Sequence, residues 1–170
     1  MAKIPEWKKY QNNVSELLSS LGFETDTDQT IDGARGRHGV DVTARMTIAG
    51  IPQLWVVECK LWKRPVPKER ALTFLAIVQD VGADRGLLFS ESGFQAGAVR
   101  AVANTNISLT SIPDFKANVS EELAEIRITT LDRRGGNPES ENPCGLARRR
   151  ARTVKGAWQI YRSARHAWTP

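Results

Sequence analysis

Residues 40–60, VDVTARMTIAGIPQLWVVECK, contain two β-strand patterns on either side of a short turn. From residue 40 to residue 48 every second side chain is apolar or small, which is the period of a strand with one buried face. Residues 49–52, AGIP, interrupt this alternation, and the apolar stretch that follows predicts a second strand over 53–60. We therefore expect an antiparallel hairpin that forms part of a larger sheet.

Two acidic residues of this hairpin are predicted to face each other. A two-residue turn at 49–50 pairs positions whose numbers add up to 99, so Asp41 lies opposite Glu58, and Lys60 shares the face of Glu58. Opposed carboxylates repel each other by about 1 kcal/mol or less when exposed, and by more when buried, unless a cation intervenes. A divalent metal ion with oxygen ligands supplies that cation. The alternative is an ordinary ion pair between Lys60 and one of the carboxylates.

The elements around the hairpin predict an α/β fold. Helices are expected at about residues 7–21, 68–81 and 92–103, and further strands at 23–25, 86–90 and 107–112. The segment 28–39 is rich in glycine, aspartate and arginine, and is predicted to be a loop. This order of elements is typical of a mixed sheet with helices on both faces.

The net charge of +5 lies entirely in the last third of the chain. Residues 1–115 contain 13 basic and 13 acidic residues, whereas residues 116–170 contain 11 basic and 6 acidic ones. A basic run with interleaved aromatic residues is suited to a nucleic acid, although a solvated tail has the same composition. The predicted DNA-binding residues of this run are Arg148, Arg149, Arg150 and Arg152.

Composition divides the chain into four parts. We predict a globular domain over 1–115, an appended helical segment over 116–134 that is capped by Asn118, and a linker over 135–143. A basic tail that contains aromatic residues follows over 144–170. The fold class is therefore α/β with a basic C-terminal extension.

Composition also limits the cellular setting. The longest apolar runs are far shorter than the roughly 18 residues that a membrane span needs, and the N-terminus lacks the apolar stretch of a signal peptide. The two cysteines, Cys59 and Cys144, form neither a disulfide framework nor a ligand cluster. We expect a cytoplasmic protein with no membrane contact.

Five short motifs follow one another along the first two thirds of the chain. They are LGF at 21–23, GVDV at 39–42, ECK at 58–60, GLLFS at 86–90 and GF at 93–94. In this order and spacing they resemble the PD-(D/E)xK nuclease superfamily, and within it the Mrr-type catalytic domain of restriction endonucleases. The resemblance implies that residues 1–115 are a nuclease-like catalytic domain with a restriction-endonuclease-like α-β-β-β-α-β core.

The same resemblance implies a catalytic site. Asp41 and Glu58 would bind a metal ion together with the backbone carbonyl of Cys59. Lys60 would then assist the attacking water, so that the catalytic residues are Asp41, Glu58 and Lys60. The implied cofactor is Mg²⁺, with Mn²⁺ able to replace it.

The first helix departs from the pattern. Such domains often carry a glutamate after an aromatic residue of this helix, whereas here Gln11 follows Tyr10. Glu16 lies five positions on, about 140° around the helix, and is not a geometric substitute. The sequence therefore leaves open whether the site takes one metal ion or two.

Four further residues are candidates for DNA contacts outside the tail. Arg35, Arg37 and His38 come just before Asp41 and are predicted to hold a backbone phosphate at the mouth of the site. Gln95 opens the helix after GF, where a helix N-terminus can receive a phosphate. The alternatives are a flexible basic loop and an ordinary surface position.

Together these features predict an Mg²⁺-dependent endonuclease that hydrolyses DNA phosphodiester bonds in restriction or defence against foreign DNA. A repair or junction-resolving nuclease would use the same chemistry, and a catalytically inactive DNA-binding module would keep only the fold. The partner is DNA. Because no separate reading domain is recognisable, we also expect a homodimer or a separate specificity subunit.

Overall fold

In the computed structural model, which describes residues 4–120, helices and strands follow the predicted order. The helices that lie wholly within this range are α1 (Glu6–Ser20), α2 (Lys68–Asp80) and α3 (Ala96–Val102). The strands are β1 (Glu24–Asp32), β2 (Arg37–Ile48), β3 (Ile51–Cys59), β4 (Arg85–Phe89) and β5 (Ile107–Thr110). All of them belong to a compact unit that ends at Phe115.

The β2–β3 hairpin has the register that the sequence predicts. Every paired position, from Ile48–Ile51 to Val42–Val57, has numbers that add up to 99. The turn residues Ala49 and Gly50 have φ angles of 51° and 81°. Positive φ at both central positions is typical of the type I′ turn, whose twist matches that of the flanking strands.

The five strands form one mixed sheet in the order β1-β2-β3-β4-β5. The first three are antiparallel, and β4 and β5 continue the sheet in parallel from β3. Each parallel connection passes through a helix, α2 or α3, as such crossovers require. The predicted mixed α/β sheet is therefore present.

Two apolar cores cover the two faces of the sheet. Neighbouring strand residues alternate between them, so Val56 packs with α2 and α3 whereas Val57 packs with α1. Burial of such side chains contributes about 1.5–3 kcal/mol each. At Gly86, a Cβ atom would lie 2.7 Å from Val78 and 3.0 Å from Phe74, so α2 packs directly on the backbone of β4.

The prediction that residues 28–39 form a loop is wrong. β1 extends to Asp32, β2 already begins at Arg37, and only the short turn between them is irregular. The two strands pair through Ile31 and His38, and Ile31 packs against the α2 core. Propensity missed this part of β1 because it is a polar edge strand, whose residues are kept extended by pairing with β2.

The prediction that a helix after residue 115 is capped by Asn118 is also wrong. Helical residues begin at 112, and the Oγ of Ser111 accepts a hydrogen bond from the N–H of Asp114 at 3.2 Å. Ser111 is therefore the cap, because its hydroxyl satisfies a free N–H of the first turn. The predicted helical segment beyond residue 120, the linker and the tail lie outside the described residues.

Among the helices of residues 4–120, none has both the length and the apolar character that crossing a membrane requires.

Candidate active site

The strands of the hairpin separate at Asp41. The last β2–β3 pair is Val42–Val57, whereas β2 continues to pair with β1 as far as Arg37. Asp41 is thus the first residue beyond the β2–β3 ladder, and its Oδ2 accepts a hydrogen bond from the backbone N–H of Cys59 at 2.7 Å. We call this place, formed by Asp41, Glu58, Cys59 and Lys60, the fork.

Glu58 carries a charge that its surroundings only partly compensate. Its carboxylate contacts the ammonium group of Lys60, and the two side chains are 20% and 21% exposed. Burial raises the pKa of Glu58, and the nearby Asp41 carboxylate raises it further. Lys60 and Arg70 lower this pKa, yet the net shift is upward. An additional cation near the two carboxylates would lower the pKa of Glu58 again.

Cys59 contributes its main chain to the fork rather than its thiol. Burial raises the pKa of the Cys59 thiol far above its ordinary value, and the charges of Asp41 and Glu58 add to this effect. A thiol in that state is protonated at neutral pH and is a poor nucleophile or metal ligand. The prediction that Cys59 binds metal through its carbonyl is compatible with this and stays a prediction.

Helix α1 supplies a second hydrogen bond to Asp41. Gln11 is 4% exposed, and its Nε2 donates to Oδ1 of Asp41 at 2.6 Å. The Oε1 of the same amide accepts a hydrogen bond from Nζ of Lys8 at 3.4 Å. Lys8 also contacts Asp28 of β1 in an ion pair. The position where the first helix departs from the nuclease pattern is thus in direct contact with the fork.

An exposed tryptophan lies next to the fork. The Trp62 ring centroid is 5.9 Å from Nζ of Lys60 and 5.8 Å from Cζ of Arg70, and Trp62 is 40% exposed. Such cation–π contacts stabilise exposed pairs by about 0.5–1 kcal/mol. Five basic residues and one acidic residue occur between positions 60 and 70. We call Lys60, Trp62 and Arg70 the Trp62 surface.

Arg35 and His38 contact a different carboxylate from those of the fork. Nε of Arg35 and Nε2 of His38 each lie 2.7 Å from an oxygen of Asp80, the last residue of α2. These two hydrogen bonds lower the pKa of Asp80 to about 2. Along α2, Asp80 is about 15 Å from Arg70, which is beside Glu58. We call Arg35, His38 and Asp80 the Asp80 cluster.

The remaining predicted DNA contacts are Arg37, Gln95 and the four arginines of the tail. Arg37 is 72% exposed and pairs with Asp32 at 2.9 Å. Gln95 is exposed at the start of α3, and its side chain does not cap the helix. The four arginines of the tail lie outside residues 4–120. A role in DNA binding stays a prediction for all of these residues.

Sequence patterns do not identify every residue that contacts the fork or its immediate neighbours. They do not predict the contacts of Lys8, Trp62 and Arg70, and they mark Gln11 only as a departure. The three-residue spacing of Lys8 and Gln11 on one helix is a usable signal, because such residues are neighbours on a helix surface. The approach of Arg70 depends on how α2 packs, which no local pattern contains.

The donors of the fork fit a hard divalent cation. Within the described residues, no three or more His, Cys, Asp or Glu side chains are grouped so as to hold a metal ion. The fork offers two carboxylates, and Mg²⁺ commonly binds through one or two carboxylates while water and substrate phosphate complete its shell. Burial and the Asp41 carboxylate raise the pKa of Glu58 in spite of Lys60 and Arg70, and a cation bound to Glu58 would oppose this rise.

Comparison with known families identifies a match over most of the chain. A family model described as restriction endonuclease, the Mrr catalytic domain, matches residues 3–119. The search of curated proteins found no match.

Solved structures that are similar to this chain include the following three. A protein of unknown function, AF1548, has 26% sequence identity and a TM-score of 0.52, with 62% of this chain and 57% of that chain covered. The DNA modification-dependent restriction endonuclease AspBHI has 18% identity, a TM-score of 0.44 and coverage of 63% and 31%. The MspJI restriction endonuclease, in complex with a 27-mer oligonucleotide, has 15% identity, a TM-score of 0.42 and coverage of 62% and 26%. This chain therefore spans less than two thirds of each of these proteins.

Proposed function

Because the chain belongs to the restriction endonuclease family represented by the Mrr catalytic domain, we propose that it hydrolyses DNA phosphodiester bonds with the help of Mg²⁺. The family consists of nucleases of restriction and defence, which generally use divalent metal ions. The observation that carries the proposal is the fork, where Asp41 and Glu58 converge and Lys60 contacts Glu58.

The metal ligands in this proposal are the carboxylates of Asp41 and Glu58 and the backbone carbonyl of Cys59. When bound there, Mg²⁺ or Mn²⁺ would supply Lewis-acid polarisation of the scissile phosphate and would lower the pKa of a water ligand. The N–H of Cys59 and the amide of Gln11 hold the two oxygens of Asp41 in one orientation. The fork therefore presents a fixed carboxylate rather than one that must be ordered on binding.

Lys60 acts as a donor in this proposal. Its ammonium group contacts Glu58, and an ammonium has three N–H donors and no lone pair with which to accept a proton. Lys60 therefore holds the attacking water or neutralises the charge that develops on the phosphate. With a cation held by Glu58, this carboxylate would bind Lys60 less tightly, and the ammonium group of Lys60 would be available to the substrate.

The Trp62 surface supports DNA as the substrate. Lys60 and Arg70 each place a positive charge within 6 Å of the centroid of an exposed aromatic ring, and Lys60 contacts the proposed metal ligand Glu58. Basic side chains bind the phosphate backbone, and an aromatic face stacks on a base. Recognition of a sequence or of a modified base would then depend on a second copy of the chain or on a separate specificity subunit.

A plasmid cleavage assay tests the proposal. The full chain should nick or linearise plasmid only when Mg²⁺ or Mn²⁺ is added, and methylated and unmethylated plasmids are compared side by side. Lys60→Ala should abolish cleavage but keep most DNA affinity in gel shifts, because one phosphate contact among several is lost. The control is Lys63→Ala, which removes an exposed lysine of the same segment.

Three outcomes count against the proposal. Metal-independent cleavage contradicts the role of the fork, and DNA binding without cleavage under any metal condition identifies an inactive DNA-binding module. Preference for branched over linear DNA favours a repair or junction-resolving nuclease instead.

A further inference from the structure

The orientation of the Gln11 amide is determined by its two neighbours. An ammonium group can only donate hydrogen bonds, and an ionised carboxylate can only accept them. The amide oxygen therefore faces Nζ of Lys8 at 3.4 Å, and the amide nitrogen faces Oδ1 of Asp41 at 2.6 Å. Reversal of the amide would set donor against donor on one side and acceptor against acceptor on the other.

Lys8 is itself held on the far side of Gln11. Its Nζ donates to Oγ1 of Thr27 at 3.2 Å and pairs with Asp28, and its side chain is 23% exposed. Asp28 lies between the paired residues Thr27 and Gln29, opposite Asp41 in the β1–β2 register, and has a φ of 53°. Lys8 is thus fixed by β1 next to the strand that carries Asp41.

This arrangement determines from which side a cation can approach Asp41. The N–H of Gln11 occupies Oδ1 on the α1 side, and the positive charge of Lys8 lies behind it. A cation is repelled both by the hydrogen that points at this oxygen and by the ammonium group. Glu58 lies on the face of β3 that is turned away from α1, because the preceding Val57 packs with α1 and neighbouring side chains of a strand point to opposite faces.

We infer that Lys8 and Gln11 are positioning residues that close the α1 side of Asp41, so that the fork binds a single divalent cation on the Glu58 side. The inference rests on the proposed metal-dependent function. A glutamate at position 11 would replace the donor by an acceptor and place a second carboxylate beside Oδ1. Gln11→Glu is therefore expected to open a second cation site.

Counting bound Mn²⁺ on the full chain tests this inference. MnCl₂ is titrated into the protein, and free Mn²⁺ is measured by electron paramagnetic resonance. Wild type should bind one Mn²⁺ per chain and Gln11→Glu two. Asn13→Asp is the control, because it adds the same charge at an exposed position of α1 and should leave the count at one.

The outcomes separate this inference from the proposed function. Two Mn²⁺ ions bound to wild type, or one bound to a folded Gln11→Glu variant, overturn the inference and leave the nuclease proposal intact. No Mn²⁺ bound to wild type overturns both. Circular dichroism shows whether Gln11→Glu is folded. If it is not, the number of Mn²⁺ ions bound per wild-type chain still tests the single-cation site.

Discussion

Asp80 and the Asp41–Glu58 pair belong to the same compact unit, yet the pKa values of Asp80 and Glu58 are shifted in opposite directions. Arg35 and His38 satisfy Asp80, and its pKa falls to about 2. Burial and the neighbouring Asp41 carboxylate raise the pKa of Glu58 in spite of Lys60 and Arg70. The first group is stabilised as an anion by the protein alone, whereas the second is not.

In the proposed function, this difference separates a structural carboxylate, Asp80, from the metal-binding pair. The Asp80 cluster joins the β1–β2 turn to the end of α2, and a Cβ at Gly33 would lie only 2.3 Å from Oδ2 of Asp80. In the fork, the carboxylates of Asp41 and Glu58 repel each other, and a bound cation would reduce this repulsion. Perturbed carboxylates with incomplete compensation concentrate at functional sites, because binding supplies what the fold omits.

The largest expected difference between the two regions is in catalysis. Asp41→Asn should lower the rate of Mg²⁺-dependent plasmid cleavage about 100- to 1,000-fold, the usual cost of removing a group that stabilises a transition state. Asp80→Asn should change the rate at saturating DNA by only a few-fold, because Asp80 is distant from the reaction. If single-turnover assays show that the two variants lose cleavage rate equally, the fork is no more important for catalysis than the Asp80 cluster.

For folding stability we expect the opposite: substitution of Asp80 should have a large effect. The pKa of Asp80 is about 2 in the folded protein against an ordinary 3.8, so its stabilising contribution is complete above about pH 4 and is lost as pH falls through 2. Asp80→Asn should therefore lower Tm at pH 7, and the gap to wild type should close between about pH 4 and 2. Arg35 and His38 are the charged and titratable partners whose contacts are lost. If the difference in Tm between wild type and Asp80→Asn does not change with pH, the loss of stability comes from altered packing rather than from the charge of Asp80.

The smallest expected effect is stabilisation by the cation itself. At a free Mg²⁺ concentration of ten times Kd, binding to the folded state adds about 1.4 kcal/mol by mass action. Tm of wild type and of Asp80→Asn should thus rise by a few degrees, whereas Tm of Glu58→Gln should not change. A matching rise in Glu58→Gln, measured by scanning calorimetry, would place the bound ion outside the fork.

Local pattern is enough to predict the hairpin and its register. The alternation of β2 and the small turn residues Ala49 and Gly50 contain the pairing information within a few positions. The family motifs likewise point to Asp41, Glu58 and Lys60 from two short stretches of the chain. These features depend on neighbours along the chain, which a sequence records directly.

Features that depend on packing between distant segments are not predicted. The extended part of β1 looks like a loop because its stability comes from pairing with β2. Arg35 and His38 are predicted near the fork from their closeness to Asp41 in sequence, whereas both contact Asp80 of α2. The sequence separation between these partners exceeds the range of any local signal.

The most direct test of the central claim is a calorimetric titration with Mn²⁺, because the claim is that Asp41 and Glu58 together bind a divalent cation. Wild type should bind the ion, Asp41→Asn should bind it at least about tenfold more weakly through loss of an anionic ligand, and Asp32→Asn should match wild type. Asp32 is a suitable control because its side chain is 82% exposed and pairs with Arg37. Equal Mn²⁺ affinity for all three proteins would contradict the two-carboxylate site.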